Sequence, residues 1–202
     1  MDSQKRSTEE LILEAAQAVF LEKGLAGARM QEIADRAGIN KALLHYYFRS
    51  KEKLSGIIIS RTIGVIMPRM MGVLATDQDL FDKIREMVDT FITFISRNSF
   101  LPLFIINEVN RNPHFFFTTA LQQEKPQLEK FRQQVEEAIA QGRIRPISAT
   151  QLMMNMMSML VFPFLGKPIF RGALGLTEDA FQQEMKLRRT EVAEFIIQSI
   201  KL

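Results

Sequence analysis

No cysteine occurs among the 202 residues, and only two histidines do. The first absence excludes disulfides and thiolate metal sites, and it suits a reducing compartment. The second leaves His45 and His114 far apart in the chain, with no His-Glu-x-x-His pair between them. A phosphate-cradling glycine-rich loop and a nucleophile elbow are also missing. The carboxylates are scattered rather than paired. These absences predict a protein that is not an enzyme and that needs no cofactor and no metal. Residues 1–10 are polar and lack the apolar core of a targeting segment. Two apolar stretches, 57–71 and 152–165, are interrupted by Arg61, Pro68 and Arg69 and by Asn155 and Pro163. Each is shorter than the roughly 20 residues that span a bilayer, so both read as buried helices. The expected location is cytoplasmic.

Strand-like alternation is absent as well, and the class that remains is all-α. With 47% apolar and 24% charged residues the chain can bury a core without covalent staples. The net charge of +3 says little about partners, but its distribution says more. Residues 1–54 hold nine Lys/Arg and eight Asp/Glu, yet Lys41, Arg49, Lys51 and Lys53 face one acid, Glu52. A phosphate-binding surface is expected to centre there.

The first helix is announced by Ser7-Thr8-Glu9-Glu10, a capping box, and continues in the rows Leu11/Ala15/Val19 and Ile12/Ala16/Phe20 until Gly24. A short second helix places Met30, Ile33, Ala34 and Ala37 on one face and ends at Gly38. Asn40 is the expected N-cap of a third, in which Leu44 and Phe48 stack at i, i+4. Two short helices about a glycine turn form a helix-turn-helix at about 29–48. Ser50 caps a fourth helix from Lys51, with a kink or break expected near Pro68. Further helices are predicted near 78–97, 101–111, 115–123, 125–141, 149–162 and 178–201. Residues 163–176, with Pro163, Gly166, Pro168, Gly172 and Gly175, read as a loop.

The third helix has the chemistry of a recognition helix. Ile39, Leu44 and Phe48 can anchor inward, while Lys41, Ala42, His45 and Tyr46 project outward. Lysine can donate to guanine, and an alanine methyl suits the thymine methyl. Tyr47 and Lys51 are placed for phosphates, Lys51 at a helix N-terminus. For Tyr46 and Tyr47 partial burial is the rival expectation.

The run from Gln31 to Leu54, with Glu32-Ile33-Ala34, Ala37-Gly38, Phe48 and Ser50-Lys51-Glu52 in register, resembles the DNA-binding signature of TetR-family regulators. The preceding helix and Phe20 to Gly24 resemble that family's opening. The resemblance implies contacts to double-stranded DNA from Arg29, Gln31, Lys41, Ala42, His45, Tyr46, Tyr47 and Lys51. It also implies an N-terminal three-helix domain over 6–66 and a larger helical bundle over 67–202 for ligand binding and dimerisation. His45 stands where the family usually has tyrosine, Tyr47 where it often has histidine, and Leu43 where a phosphate-touching threonine is frequent.

The C-terminal part is rich in phenylalanine and methionine. Most of these side chains read as core, and some as the lining of an adaptable apolar pocket. The candidate lining is Phe91, Phe94, Phe104, Asn107, Glu108, Arg111, Phe116 and Met156. The candidate homodimer interface is a four-helix arrangement from the last two predicted helices, through Met153, Met156, Leu160, Phe181, Met185, Val192, Phe195 and Ile196. The expected function is a DNA-binding transcription regulator, a repressor released from a palindromic operator by an apolar small molecule. The alternatives are a helical interaction protein and a DNA-binding dimer that needs no ligand.

Overall fold

A computed structural model describes residues 7–111 and 125–202, and among these no β-strand occurs. They form ten helices: α1 (Thr8–Gly27), α2 (Met30–Arg36), α3 (Lys41–Tyr47), α4 (Lys51–Ala75), α5 (Leu80–Ser96), α6 (Leu101–Arg111), α7 (Lys125–Ala140), α8 (Ala149–Leu165), α9 (Lys167–Leu174) and α10 (Glu178–Ile200). Two compact units result, one ending at Ile63 and one beginning at Gly64. The helix predicted at 115–123 lies outside the described residues.

Local chemistry sets the ends of these helices. Ser7 Oγ accepts from the Glu10 backbone at 3.2 Å and the Glu10 carboxylate accepts from the Ser7 backbone at 3.0 Å, closing the capping box. Gly24 kinks α1 rather than ending it, because its φ of +67° turns the chain before one last turn to Gly27. Pro68 leaves α4 unbroken. At 25 residues, α4 is long and apolar enough to cross a membrane by length and composition, longer than the apolar stretch 57–71 within it. Its burial is partial: Leu54, Ile58 and Ile59 are buried in the first half, and Ile66, Met70, Val73 and Leu74 in the second.

The stretch 163–176 is also more regular than expected. Pro163 is buried inside α8, and Pro168 sits in the first turn of α9, where the missing N–H costs nothing. The loop shrinks to Gly166 and to the turn at Gly175 and Leu176.

In the first unit Ile12, Ala16 and Phe20 of α1 are fully buried with Ile33 and Ala34 of α2, Leu44 of α3 and Leu54 of α4. In the second unit α5 packs chiefly on α10. Ile84, Met87, Val88 and Ile92 on one helix, and Phe181, Met185, Val192, Ile196 and Ile200 on the other, are buried. Arg85 pairs with Glu194 at 2.7 Å and Asp89 with Arg189 at 2.6 Å beside this seam. The partners run in opposite sequence order, so the two helices are antiparallel. Leu152, Met156, Leu160 and Phe164 of α8 complete the core.

One buried side chain departs from the apolar pattern. Lys83 stands on the inward face of α5 and is fully buried. Its ammonium donates to Leu74 O at 2.8 Å, to Thr76 O at 2.9 Å and to the Gln134 side chain. Two of these acceptors are carbonyls at the C-terminal end of α4, which has no intrahelical donors left for them. Lys130 adds a bond to Ala75 O at 2.6 Å and an ion pair with Asp77. Burial, and then the neighbouring Lys130 charge, hold the Lys83 ammonium below the ordinary lysine pKa of 10.5.

Replacing Lys83 by Met keeps the apolar stem and strands three acceptors. The expected cost is about 1–3 kcal/mol in urea unfolding at neutral pH. In the alkaline window just below pH 10.5 the unfolded chain holds a proton on Lys83 that the native state has begun to release. Wild-type stability therefore gains from this group as pH rises through that window, and Lys83→Met should remove that gain.

Candidate nucleic-acid interface

The geometry of α2 and α3 follows from the turn between them. Gly38 has φ +68°, and the space around it is open, so backbone conformation alone calls for glycine. The Ile39 N–H reaches Ala34 O at 3.0 Å and the Gly38 N–H reaches Asp35 O at 3.2 Å, which closes the end of α2. Asn40 Oδ1 then accepts from the Leu43 N–H at 2.8 Å and starts α3. Leu44 and Phe48 are buried, so the opposite side of α3 faces outward.

Lys41, Ala42, His45, Tyr46 and Tyr47 are all exposed on that side. Tyr46 is 81% exposed and Tyr47 42%, so neither tyrosine is a core residue. Their rings meet edge to face at 5.6 Å, which limits the freedom of both. His45 Nδ1 lies 3.3 Å from Arg49 O. A carbonyl can only accept, so the ring donates through Nδ1 and leaves Nε2 outside this bond.

Two expected contacts are already engaged. Gln31 donates to Asp35 at 2.8 Å. Lys51 is half-buried and donates to Ala28 O at 3.1 Å and Ala26 O at 3.4 Å. Two of its three protons tie the start of α4 to the α1–α2 connection. Arg29 is exposed at the start of α2 and caps nothing with its side chain.

Pairing sorts the charges of this unit. Lys23 binds Glu32 at 2.8 Å, Arg36 binds Glu22 at 2.6 Å and Arg61 binds Glu9 at 3.0 Å. The Lys23 hydrogen bond holds the Glu32 carboxyl below the usual carboxylate range. Among the described residues Arg29, Lys41, Arg49 and Lys53 have no such partner. All four are exposed: Arg29 lies at the start of α2, Lys41 on α3, Arg49 between α3 and α4, and Lys53 at the start of α4. Arg49 and Lys53 belong to this group although the family resemblance does not name them. Their signal in the sequence is the local scarcity of acids.

The candidate residues of the larger unit are more dispersed. Phe91 is buried, and Phe94 lines a groove of about 460 Å³ between the second half of α4 and α5. Phe104 is half-buried and Asn107 exposed. Met156 is sealed in the core, which removes it from any open lining. Phe116 and the side chains of Glu108 and Arg111 lie outside the described residues. Among the candidate dimer residues Met156, Leu160, Phe181, Met185, Val192 and Ile196 are buried within the chain itself, because α5, α8 and α10 use those faces for one another. Met153 is half-buried, and Phe195 is exposed.

The family described as bacterial regulatory proteins, tetR family, matches residues 12–55, the segment from α1 to the start of α4. The HTH-type transcriptional activator FasR of Mycolicibacterium smegmatis is 35% identical over 88 residues, 44% of this chain and 40% of its own length. The HTH-type transcriptional repressor KstR2 of the same organism is 24% identical over 147 residues, 71% of each chain. The first of these matches spans about two-fifths of the relative. The solved ketosteroid transcriptional regulator KstR2 of Mycobacterium tuberculosis has the same fold, with a TM-score of 0.69 at 16% identity over 98% of this chain and 97% of that one.

The geometry separates two kinds of lysine. Lys53→Ala should flatten the dependence of log affinity for duplex DNA on log salt by about 0.9. Lys51→Met should lower affinity and thermal stability together and leave that slope unchanged. Equal slopes for wild type and Lys53→Ala in a fluorescence titration would remove Lys53 from the interface.

Proposed function

With a tetR-family segment at residues 12–55 and a regulator fold over nearly all of its length, we propose that this chain is a DNA-binding transcription regulator that acts as a homodimer under small-molecule control. The observation that carries the reading is the sorting of charge in the first unit. Cations away from α3 are neutralised in pairs, while Arg29, Arg49 and Lys53 are left to meet phosphates and Lys41 the bases on an exposed, rigidly anchored helix face. α3 enters the major groove with Lys41, Ala42, His45 and Tyr46 toward the bases, and Tyr47, Arg49 and Lys53 toward the backbone. The operator is palindromic because two copies read it. The relatives include an activator and a repressor, and repression is the mode proposed here.

Dimerisation is assigned to the outward faces of α8 and α10. Met154, Met157 and half-buried Val161 stand at i, i+3 and i+7 on α8. Leu187 and Phe195, 59% and 62% exposed, lie along one i, i+4 row of α10. Paired across a two-fold axis, such faces form a four-helix seam. Ligand control falls to the larger unit, where an occupant shifts the balance between two conformations by its difference in affinity for them.

Two measurements test this. Duplexes selected from a random library by the purified protein should converge on an inverted repeat, and failure to enrich any sequence would reject specific DNA binding. Leu187→Glu combined with Phe195→Glu should yield a folded monomer at micromolar concentration in sedimentation, with affinity for the selected duplex reduced by more than about tenfold. A dimer that survives both changes would place the interface elsewhere.

A further inference from the structure

We propose that the groove between the second half of α4 and α5 binds a small organic carboxylate with an apolar body. This names the ligand class for the larger unit, and its regulatory consequence rests on the function proposed above.

Arg69 of α4 and Arg97 at the end of α5 both line the groove. Half of the described cations of this unit have carboxylate partners: Arg85, Lys130, Arg132, Arg143, Lys167, Arg171 and Arg189 are all paired. Arg69 and Arg97 are not, although two acids stand in the same lining. Asp89 is committed to Arg189 at 2.6 Å. Glu86 accepts from the Gln78 amide at 2.8 Å, which leaves its charge uncompensated. The groove thus holds two free guanidinium groups against one free carboxylate, a net attraction for an anion. Guanidinium groups recognise a carboxylate through forked hydrogen bonds.

Hydrogen bonding adds a second observation. Thr93 Oγ1 is buried, lies in the lining residue set and meets no hydrogen-bond partner. A buried hydroxyl left unpaired costs free energy, and a carboxylate oxygen would relieve it as acceptor. The rest of the lining supplies the body of the site. Phe94 and Val73 offer apolar wall, and Gly72 leaves room beside α4. A volume of about 460 Å³ is within the usual range for small ligands. A carboxylate that bridges Arg69 and Arg97 ties the second half of α4 to α5, and α4 is the helix that begins in the DNA-binding unit.

The test uses the intact protein and four probes: octanoate, 4-phenylbutyrate and their neutral amides. Calorimetry and thermal shift should show at least one carboxylate binding about tenfold more tightly than its amide. Arg69→Gln with Arg97→Gln should erase that difference while the unliganded melting temperature is kept. Glu86→Gln should tighten the carboxylate and leave the amide unchanged. Equal binding of acid and amide, no binding of either acid, or indifference to the two arginines would overturn the proposal. DNA release is measured separately on the selected duplex. Arginine-dependent binding without release keeps the site and rejects ligand control; release by the amides without the arginines does the reverse.

Discussion

A buried ammonium organises the larger unit. Lys83 reaches two carbonyls at the end of α4 and the amide oxygen of α7 from a position inside α5, so three helices meet at one cation. Apolar packing alone is non-directional. It would let α4 slide or rotate against its neighbours at little cost. A desolvated charge does not allow this, because each lost acceptor must be replaced or left exposed to an apolar interior. The antiparallel packing of α5 on α10, the two ion pairs beside it and the groove lined from α4 and α5 all presuppose that the end of α4 is fixed there.

In the smaller unit the constraint is again polar satisfaction, used in the opposite sense. Ion pairs consume the charges of α1 and α2, and Lys51 spends its protons on backbone oxygens. What remains unpaired lies around α3. Exposed pairs of this kind contribute little to stability. Their larger effect is on the field: neutralised sides do not compete for a polyanion, so attraction is confined to one face.

How much of this was legible depended on whether a local rule had a tertiary competitor. The capping box at Ser7, the glycine turn at Gly38 and the N-cap at Asn40 are fixed within four residues, and the structure has all three. The faces of α3 were equally readable, since Leu44 and Phe48 leave one inward side. Proline is an ambiguous signal: Pro68 and Pro163 read as interruptions in the sequence, while their neighbours keep both helices intact. The candidate dimer residues meet a different limit. Periodicity shows that Met156, Phe181 or Ile196 is inward, but not whether inward means its own chain or a second copy. Lys83 was invisible, since its acceptors come from residues 74, 76 and 134 and a lysine in an amphipathic pattern reads as surface. Lys51 shows the same limit: its residue type and its place at a helix start suit a phosphate, and only the folded α1–α2 connection shows what its ammonium touches.

The glycine turn has an evolutionary corollary. It fixes the direction of α3 through backbone bonds, and Leu44 and Phe48 fix its depth, so Ala42 and Tyr46 bear almost none of the folding burden. Mutations there are close to neutral for the fold. Such a helix can drift through many side-chain combinations and acquire a new target sequence in small steps, without passing through an unfolded intermediate. The scaffold is heritable while the specificity it displays is replaceable.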